Sequence, residues 1–130
     1  MSSRLYHTSY AQNTVLVDYT MAFLPQGTGA PVLGEGDPNG TYLAVARTGV
    51  GLYTVTTKDP FPGVVAGSAA FSLATPNATT TYSMNWAKNT NNTWTFTIQI
   101  YSAGAAADIA ANAQNQVILY LSFRNSTVNP

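Results

Sequence analysis

Residues 93–101 read Thr-Trp-Thr-Phe-Thr-Ile-Gln-Ile-Tyr, and this stretch decides the fold class. Trp94, Phe96, Ile98 and Ile100 occupy one phase of a two-residue repeat, with threonine and glutamine between them. Because successive side chains of a β-strand point to opposite faces, the repeat predicts a strand with one buried face and one solvated face. Strands of this kind are typical of antiparallel sheets that pack on one side.

A second alternating stretch lies at residues 117–124. Its inward phase is apolar, whereas its outward phase is only partly polar. The inward residues are Val117, Leu119, Leu121 and Phe123, and the outward residues are Ile118, Tyr120, Ser122 and Arg124. Apolar side chains in both phases indicate a strand that is covered on both sides. We therefore expect this strand to be central in its sheet, or to have its second face covered by a partner.

Shorter alternating stretches predict the remaining strands. They are residues 15–23, 42–47, 53–56, 66–75 and 82–86. Between them, residues 37–40 (Asp-Pro-Asn-Gly) suit a type I turn, residues 48–51 suit a sharp break, and residues 88–92 suit a hairpin loop. The alanine-rich stretch 105–114 is short, so we expect a loop with at most one helical turn. The pattern predicts an all-β fold, a jelly roll or β-sandwich of about eight antiparallel strands.

Two segments do not fit the strand pattern. Residues 1–13 are polar and aromatic without periodicity, which predicts an extended N-terminal arm. Residues 25–40 hold five of the ten glycines and three of the seven prolines, which predicts a long loop. Loops of this length are usually functional or mobile. Since 130 residues fit one domain, we divide the chain into the arm and a single β-domain at residues 14–130.

Charged residues are few. They make up 8% of the chain, and five basic residues balance five acidic ones. A neutral surface favours association. Nucleic acids and anionic membranes need clustered lysine and arginine, whereas these residues are scattered here, so we expect neither partner. The chain contains no run of about 18 apolar residues, the length that a membrane-spanning helix needs. The first residues lack the apolar core of a secretory signal, so we expect assembly in the cytoplasm of a producing cell.

Residue types for catalysis are scarce. The one histidine, His7, lies in the arm, and the absence of cysteine excludes a thiolate nucleophile or metal ligand. The five carboxylates form no spaced pair of the kind that cleaves glycosides. Glu35, Asp37 and Asn39 resemble the opening of a calcium loop, but the closing glutamate is missing and turn chemistry explains residues 37–40. We expect no enzyme, cofactor or metal site, with calcium at this loop left open.

Aromatic residues make up 12% of the chain and have two possible uses. Four of them could stack on a sugar, but most lie on the inward phase of their strands, which favours the core. They are Tyr82, Trp86, Trp94 and Tyr101. Tyr6 and Tyr10 lie in the arm and need a partner to bury them. The candidate interface residues are Leu5, Tyr6 and Tyr10 in the arm, Pro31, Val32 and Leu33 in the loop, and Ile118 and Tyr120 on the last strand.

One stretch resembles a known family. Residues 47–55, Arg-Thr-Gly-Val-Gly-Leu-Tyr-Thr-Val, are similar to the strand entry TG-x-G-x-Y-x-V of small structural proteins encoded by tailed bacteriophages. Residues 102–104 (Ser-Ala-Gly), Ala107-Asp108 and the strand at residues 117–123, which closes on Arg124-Asn125-Ser126, are similar to the last third of those proteins. The resemblance covers residues 47–130, and residues 1–46 match no family that we can name.

The resemblance implies a head decoration, or cement, protein. Such proteins are small jelly rolls on the virion surface, where they bind major capsid subunits and their own symmetry mates as dimers or trimers. Residues 1–13 and 25–40 would then reach across subunit boundaries. The alternative is a receptor- or glycan-binding module of a phage head or tail fibre, and a small hydrolase or isomerase on a β scaffold is a third, weaker hypothesis.

Overall fold

Nine strands make up most of residues 16–124, the part of the chain that the computed structural model describes. No helix occurs within that range. The strands are β1 (Leu16–Gln26), β2 (Gly29–Leu33), β3 (Leu43–Gly49), β4 (Leu52–Thr57), β5 (Gly63–Ser72), β6 (Thr80–Lys88), β7 (Trp94–Ser102), β8 (Ala105–Ala106) and β9 (Gln116–Arg124). The arm at residues 1–13, with Leu5, Tyr6, His7 and Tyr10, lies outside the described residues.

The strands form two antiparallel sheets. Sheet A has the order β2-β1-β9-β5, and sheet B has the order β3-β4-β7-β6, with the short strand β8 also pairing with β7. The prediction of an all-β, sandwich-like fold is confirmed. The expectation that the last strand is central is confirmed as well, because β9 pairs with β1 on one side and with β5 on the other.

The core lies between the sheets and is built from the side chains in one phase of each long strand. In β7, Phe96, Ile98 and Ile100 are buried, and in β9 the four inward residues predicted from the sequence are buried too. The buried apolar residues shared by both sheets include Met21, Phe23, Leu43, Tyr53, Val55, Phe61, Val117, Leu119, Leu121 and Phe123. Sheet packing with interdigitated inward phases is the arrangement that the two-residue repeat requires.

An aromatic cluster fills one end of this core. The Phe123 ring stacks on the Phe61 ring at 4.4 Å between centroids, and it meets the edges of Phe96 at 5.7 Å and Tyr19 at 5.5 Å. Burial and the Asp59 carboxylate raise the pKa of Tyr19 to about 12, in that order of importance. The Tyr19 hydroxyl therefore stays protonated throughout the neutral range.

The interpretation of residues 25–40 as one long loop is wrong for its first half. Residues 16–26 and 29–33 form a β-hairpin, and Gly27 has φ +60° at its turn. Pro31 lacks a backbone N–H, but β2 is an edge strand, where proline is tolerated. The glycine and proline content of this segment suggested a loop. The chain instead uses these residues in a tight turn and in an edge strand.

The second half of that segment is a loop organised by Asp37. This side chain is buried, and its carboxylate accepts hydrogen bonds from the backbone N–H groups of Thr41 at 2.7 Å, Tyr42 at 3.1 Å and Leu43 at 2.9 Å. The Gly40 N–H donates to the Asp37 carbonyl at 3.1 Å, as expected for the predicted turn. Both carboxylate oxygens of Asp37 are thus occupied by the loop's own backbone.

The alanine-rich stretch 105–114 contains no helical turn. It begins with β8, which pairs with the end of β7, and it is followed by a turn closed by the Asn115 N–H and the Asn112 carbonyl at 2.9 Å. Its small side chains have no amphipathic stripe to bury, so helix propensity alone does not decide its conformation.

Candidate interaction surface

The outer face of sheet A is apolar at its centre. The pairing registers place Ile118 between Ala22 and Ala70, and Leu24 opposite Val32, on the side away from the core. Tyr120 lies between Thr20 and Ser68 in the next row. Val32 is 52% exposed and Tyr120 is 46% exposed. We call this surface the outer A face.

The local sequence explains this surface. β9 carries apolar residues in both phases, so burial of Val117 and Leu119 in the core forces Ile118 and Tyr120 outward. The neighbouring strands offer only small or hydroxyl-bearing side chains beside them, so they leave the two larger side chains uncovered. Leu16, at the start of β1, adds a further exposed apolar side chain.

Charge on the outer A face comes from one end of its strands and from Glu35, whose carbonyl accepts from the Ala22 N–H at 2.8 Å and which lines a pocket with Leu24. The four strands of sheet A contain two charged residues, Asp18 and Arg124. The Ser122 hydroxyl donates to the Asp18 carboxylate at 2.6 Å, and Arg124 pairs with Leu16 in the register of β1 and β9. The strand residues around Ile118 are therefore apolar and uncharged, as in the buried part of a protein interface, and the Glu35 carboxylate lies toward the β2 side of this centre.

The sequence-based interface residues separate into three groups. Val32, Ile118 and Tyr120, predicted from two distant segments, come together on the outer A face. Pro31 and Leu33 lie in the opposite phase of β2, and Leu33 packs against the core. Leu5, Tyr6 and Tyr10 lie outside residues 16–124. Leu16 and Leu24 were not among the predicted interface residues, and Leu24 lies just beyond the strand predicted at residues 15–23.

The outer face of sheet B has a different character. Its central rows pair Thr54 with Thr97 and Thr56 with Thr95. The two charged residues in the five strands of this sheet, Arg47 and Lys88, lie in the core-facing phase. The face is thus polar but uncharged, and a surface of this kind gains less from burial than an apolar one.

The four aromatic side chains considered for sugar stacking do not lie on one face. Tyr82, Trp86 and Trp94 lie in the core-facing phase of β6 and β7, and Tyr82 and Trp94 pack against the core. Tyr101 lies in the opposite phase of β7. The Trp94 indole N–H donates to the Phe61 carbonyl at 3.0 Å. These positions agree with the core interpretation and separate the rings that a sugar would need together.

Arg47, Gly51 and Asp108 form a clasp between the β3–β4 turn and the chain after β8. The Arg47 guanidinium donates two hydrogen bonds to the Asp108 carboxylate, from Nε at 3.0 Å and from Nη2 at 2.8 Å. The Gly51 N–H donates to the same carboxylate at 2.7 Å. The clasp joins two segments that are distant in the sequence, and its geometry gives Arg47, Gly51 and Asp108 a structural use.

The clasp predicts a specific pH dependence of stability. The hydrogen bonds from Arg47, and secondarily the Gly51 N–H, hold the pKa of Asp108 below its ordinary value of 3.8. A carboxyl whose pKa is lowered by folding stabilises the protein above its unfolded pKa, and that stability is lost as pH falls through the folded pKa. We expect Asp108→Asn to lower the free energy of unfolding at pH 7, with the difference from wild type shrinking below about pH 4.

Urea unfolding of both proteins at several pH values between 7 and 2 measures this difference. Arg47→Gln is the partner control. It removes the guanidinium, so it should reduce the loss of unfolding free energy that wild type shows between about pH 4 and pH 2. A constant difference between wild type and Asp108→Asn across the acid range would contradict the assignment.

The remaining polar groups in residues 16–124 form no metal cluster and include an amide that joins two loops. No group of three or more His, Cys, Asp or Glu side chains is placed to hold a metal ion within that range. A cleft of about 270 Å³ lies between residues 73–80 and 100–115. Its wall includes Asn115, whose Oδ1 accepts from the Ala74 N–H at 2.8 Å and whose Nδ2 donates to the Ala110 carbonyl at 3.0 Å. That amide is used to tie the two loops together.

Comparisons with known proteins returned no match. No protein-family model, no curated protein and no solved structure matches this chain. In residues 16–124, no helix has the length and apolar character needed to cross a membrane.

Proposed function

We propose that this protein is a non-enzymatic structural protein of a virion, which decorates and cements a phage capsid. In this proposal the outer A face binds the major capsid protein, and copies of the chain also bind one another as symmetry mates. The protein would be located on the capsid surface after assembly in the host cytoplasm. The phage resemblance of residues 47–130 supports the choice of partner.

The observation that carries the proposal is the outer A face. Val32 and Leu24, then Ile118, then Tyr120 lie in three successive rows on one side of the sheet. Exposed apolar patches on a small domain mark sites of interaction with another macromolecule. A sheet face whose central strand residues carry no charge suits an extended partner such as a capsid surface better than it suits a small ligand.

We further propose that the sandwich is a reduced jelly roll. The orders β1-β9-β5 and β4-β7-β6 support this, because the chain passes between the sheets from β4 to β5, from β5 to β6 and from β7 to β9. A full jelly roll has eight strands in two sheets. In this proposal the six strands named above correspond to jelly-roll strands, and β2 and β3 are additions at the far edges. The remaining jelly-roll pair would lie beside β5 and β6, both of which are edges on that side within residues 16–124.

The double variant Val32→Ser/Tyr120→Ser tests the proposed capsid contact. Both side chains are about half exposed, so we expect the fold to persist while binding to capsids weakens at least about tenfold. The measurement is co-sedimentation of purified protein with capsids that lack it, at increasing protein concentration. A fixed number of copies per capsid subunit at saturation is expected for wild type.

Tyr101→Ser is the matched control. It removes a tyrosine from the outward phase of β7, the central strand of sheet B, so it tests the opposite face of the sandwich. We expect it to bind capsids as wild type does. An equal loss of capsid binding in both variants would show that the outer A face is not the contact. A wild-type protein that does not bind capsids but binds glycans would favour the receptor-binding alternative.

A further inference from the structure

Strand β6 is a long sheet edge without the features that usually protect one. All nine of its residues, Thr80–Lys88, pair with β7 in a regular register without a bulge. On its other side it pairs with no strand in residues 16–124. An edge strand presents a row of unpaired N–H and C=O groups, which is a template for another strand.

The other three edges are protected. β2 has five residues and contains Pro31, and β3 carries Arg47 in its core-facing phase. β5 has a register shift between Val64 and Ala66, and the Ala69 N–H donates to the Tyr82 hydroxyl at 2.9 Å. Proline, charge, a bulge and a side-chain cap are the ordinary means of blocking strand addition. β6 has no proline, bulge or side-chain cap, and its one core-facing charge, Lys88, lies at its last residue.

The sequence of β6 is self-complementary about Met84. In an antiparallel pair of two copies centred there, Tyr82 of one copy lies opposite Trp86 of the other, and Ser83 lies opposite Asn85. Cross-strand aromatic pairs and polar pairs of this kind stabilise sheets. The one charged residue, Lys88, lies at the end of the strand, so the two copies of this charge are far apart. This register uses all nine residues of the strand.

The core side of the same edge has an incompletely covered tryptophan. Trp86 is 39% exposed although its register places it in the core-facing phase, opposite Phe96. Its ring lies against β5, where a Cβ on Gly67 would be 3.1 Å from the ring. A strand added to β6 would place its own core-facing side chains beside Trp86, and these would cover the exposed part of the ring.

We propose that two copies of this chain pair through β6, antiparallel about a two-fold axis at Met84, and form one continuous sheet from their two B sheets. The second copy then occupies the position beside β6 that a full jelly roll fills with its own strand. An isologous contact of this kind closes on itself and gives a discrete dimer. The neutral chain adds little long-range repulsion between copies.

This inference rests on the self-association part of the proposed function, and it can fail separately. Dimer mass in solution depends on β6, whereas capsid binding depends on the outer A face. A protein that dimerises through β6 but ignores capsids would overturn the proposed function alone. A monomer that binds capsids would overturn this inference alone.

A pair of charge variants at exposed positions tests the interface. Ser83 and Asn85 lie on the outer face of sheet B and are exposed, so substitutions there leave the core unchanged. Ser83→Asp/Asn85→Asp places like charges opposite each other, and we expect the dimer dissociation constant to rise about a hundredfold or more. Ser83→Asp/Asn85→Lys places opposite charges there, and we expect the dimer to persist.

Light scattering coupled to gel filtration measures the mass at each concentration. Wild type and the opposite-charge variant should give twice the chain mass of 13.8 kDa, and the like-charge variant should give the chain mass. Circular dichroism and urea unfolding confirm that all three are folded. A monomeric wild type at the highest soluble concentration, or a like-charge variant that still dimerises, would overturn the proposal.

Cysteine cross-linking tests the register. The chain has no cysteine, so any disulfide between introduced residues must join two copies. A mixture of Ser83→Cys and Asn85→Cys proteins should cross-link under mild oxidation, because directly opposite residues meet the Cα spacing that a disulfide needs. Ser83→Cys alone should cross-link poorly, since its copies are diagonal neighbours about 7–8 Å apart. Ala44→Cys, on the edge strand β3, is the control, and equal cross-linking in all samples would refute this register.

Discussion

Phe123→Ala is expected to lower the free energy of unfolding by about 3–5 kcal/mol, the usual range for removing a buried phenylalanine. Phe123 is fully buried, and its ring contacts the rings of Phe61, Phe96 and Tyr19. These neighbours come from three separate strands or loops and are held by the rest of the core. They cannot collapse into the space, so the cavity remains and its lining loses dispersion contacts.

Thermal and urea unfolding measure this effect, and the expected fall in the midpoint temperature is on the order of 10–20 °C. Phe123→Leu is the graded control, because it leaves a smaller cavity and should cost about 1–2 kcal/mol. A Phe123→Ala variant as stable as Phe123→Leu would mean that the aromatic cluster is not closely packed around this ring.

Gly51→Ala is expected to cost about 3 kcal/mol or more. Gly51 has φ +61°, where any residue with a Cβ is strained by about 1–2 kcal/mol. A Cβ there would also lie 2.3 Å from the Ala107 carbonyl oxygen and 2.7 Å from the Ile100 carbonyl oxygen. Relief of these contacts must move the chain after β8, and that movement weakens the Gly51 bond to Asp108, a further loss of about 1 kcal/mol.

Gly27→Ala separates the two causes of this loss. Gly27 has φ +60°, nearly the same backbone conformation, but a Cβ there meets no atom within 4 Å. We expect it to cost only the backbone strain, about 1–2 kcal/mol. Urea unfolding of both variants gives the comparison. Equal losses would show that close approach of the two chain segments at Gly51 contributes nothing.

The two proposed surfaces do not overlap. The outer A face lies on one side of the sandwich, and β6 is an edge of the other sheet. A copy held through β6 would leave Ile118 and Tyr120 uncovered, so both contacts can form at once. A dimer would then present two outer A faces to its surroundings, which multiplies the apparent affinity for a repetitive partner such as a capsid.

Several elements could be predicted from local sequence, and others could not. Alternation correctly placed the strands that contain Phe96 and Leu119, because a two-residue repeat reports which side of a strand is wet. The hairpin at residues 16–33 was missed, since glycine and proline occur in turns and sheet edges as well as in loops. The clasp between Arg47 and Asp108 was also missed, because residues 61 positions apart carry no local sign of their pairing.

The sequence by itself determined the all-β class, the inward phases of β7 and β9 and the apolar character of both phases of β9. These properties depend on side-chain periodicity, which is local to each strand. Only the tertiary structure decided that Val32 joins Ile118 and Tyr120, that Asp37 serves its own loop, and that β6 is left as an unprotected edge. Those outcomes depend on which strands become neighbours, and strand pairing is decided by the packing of the whole core.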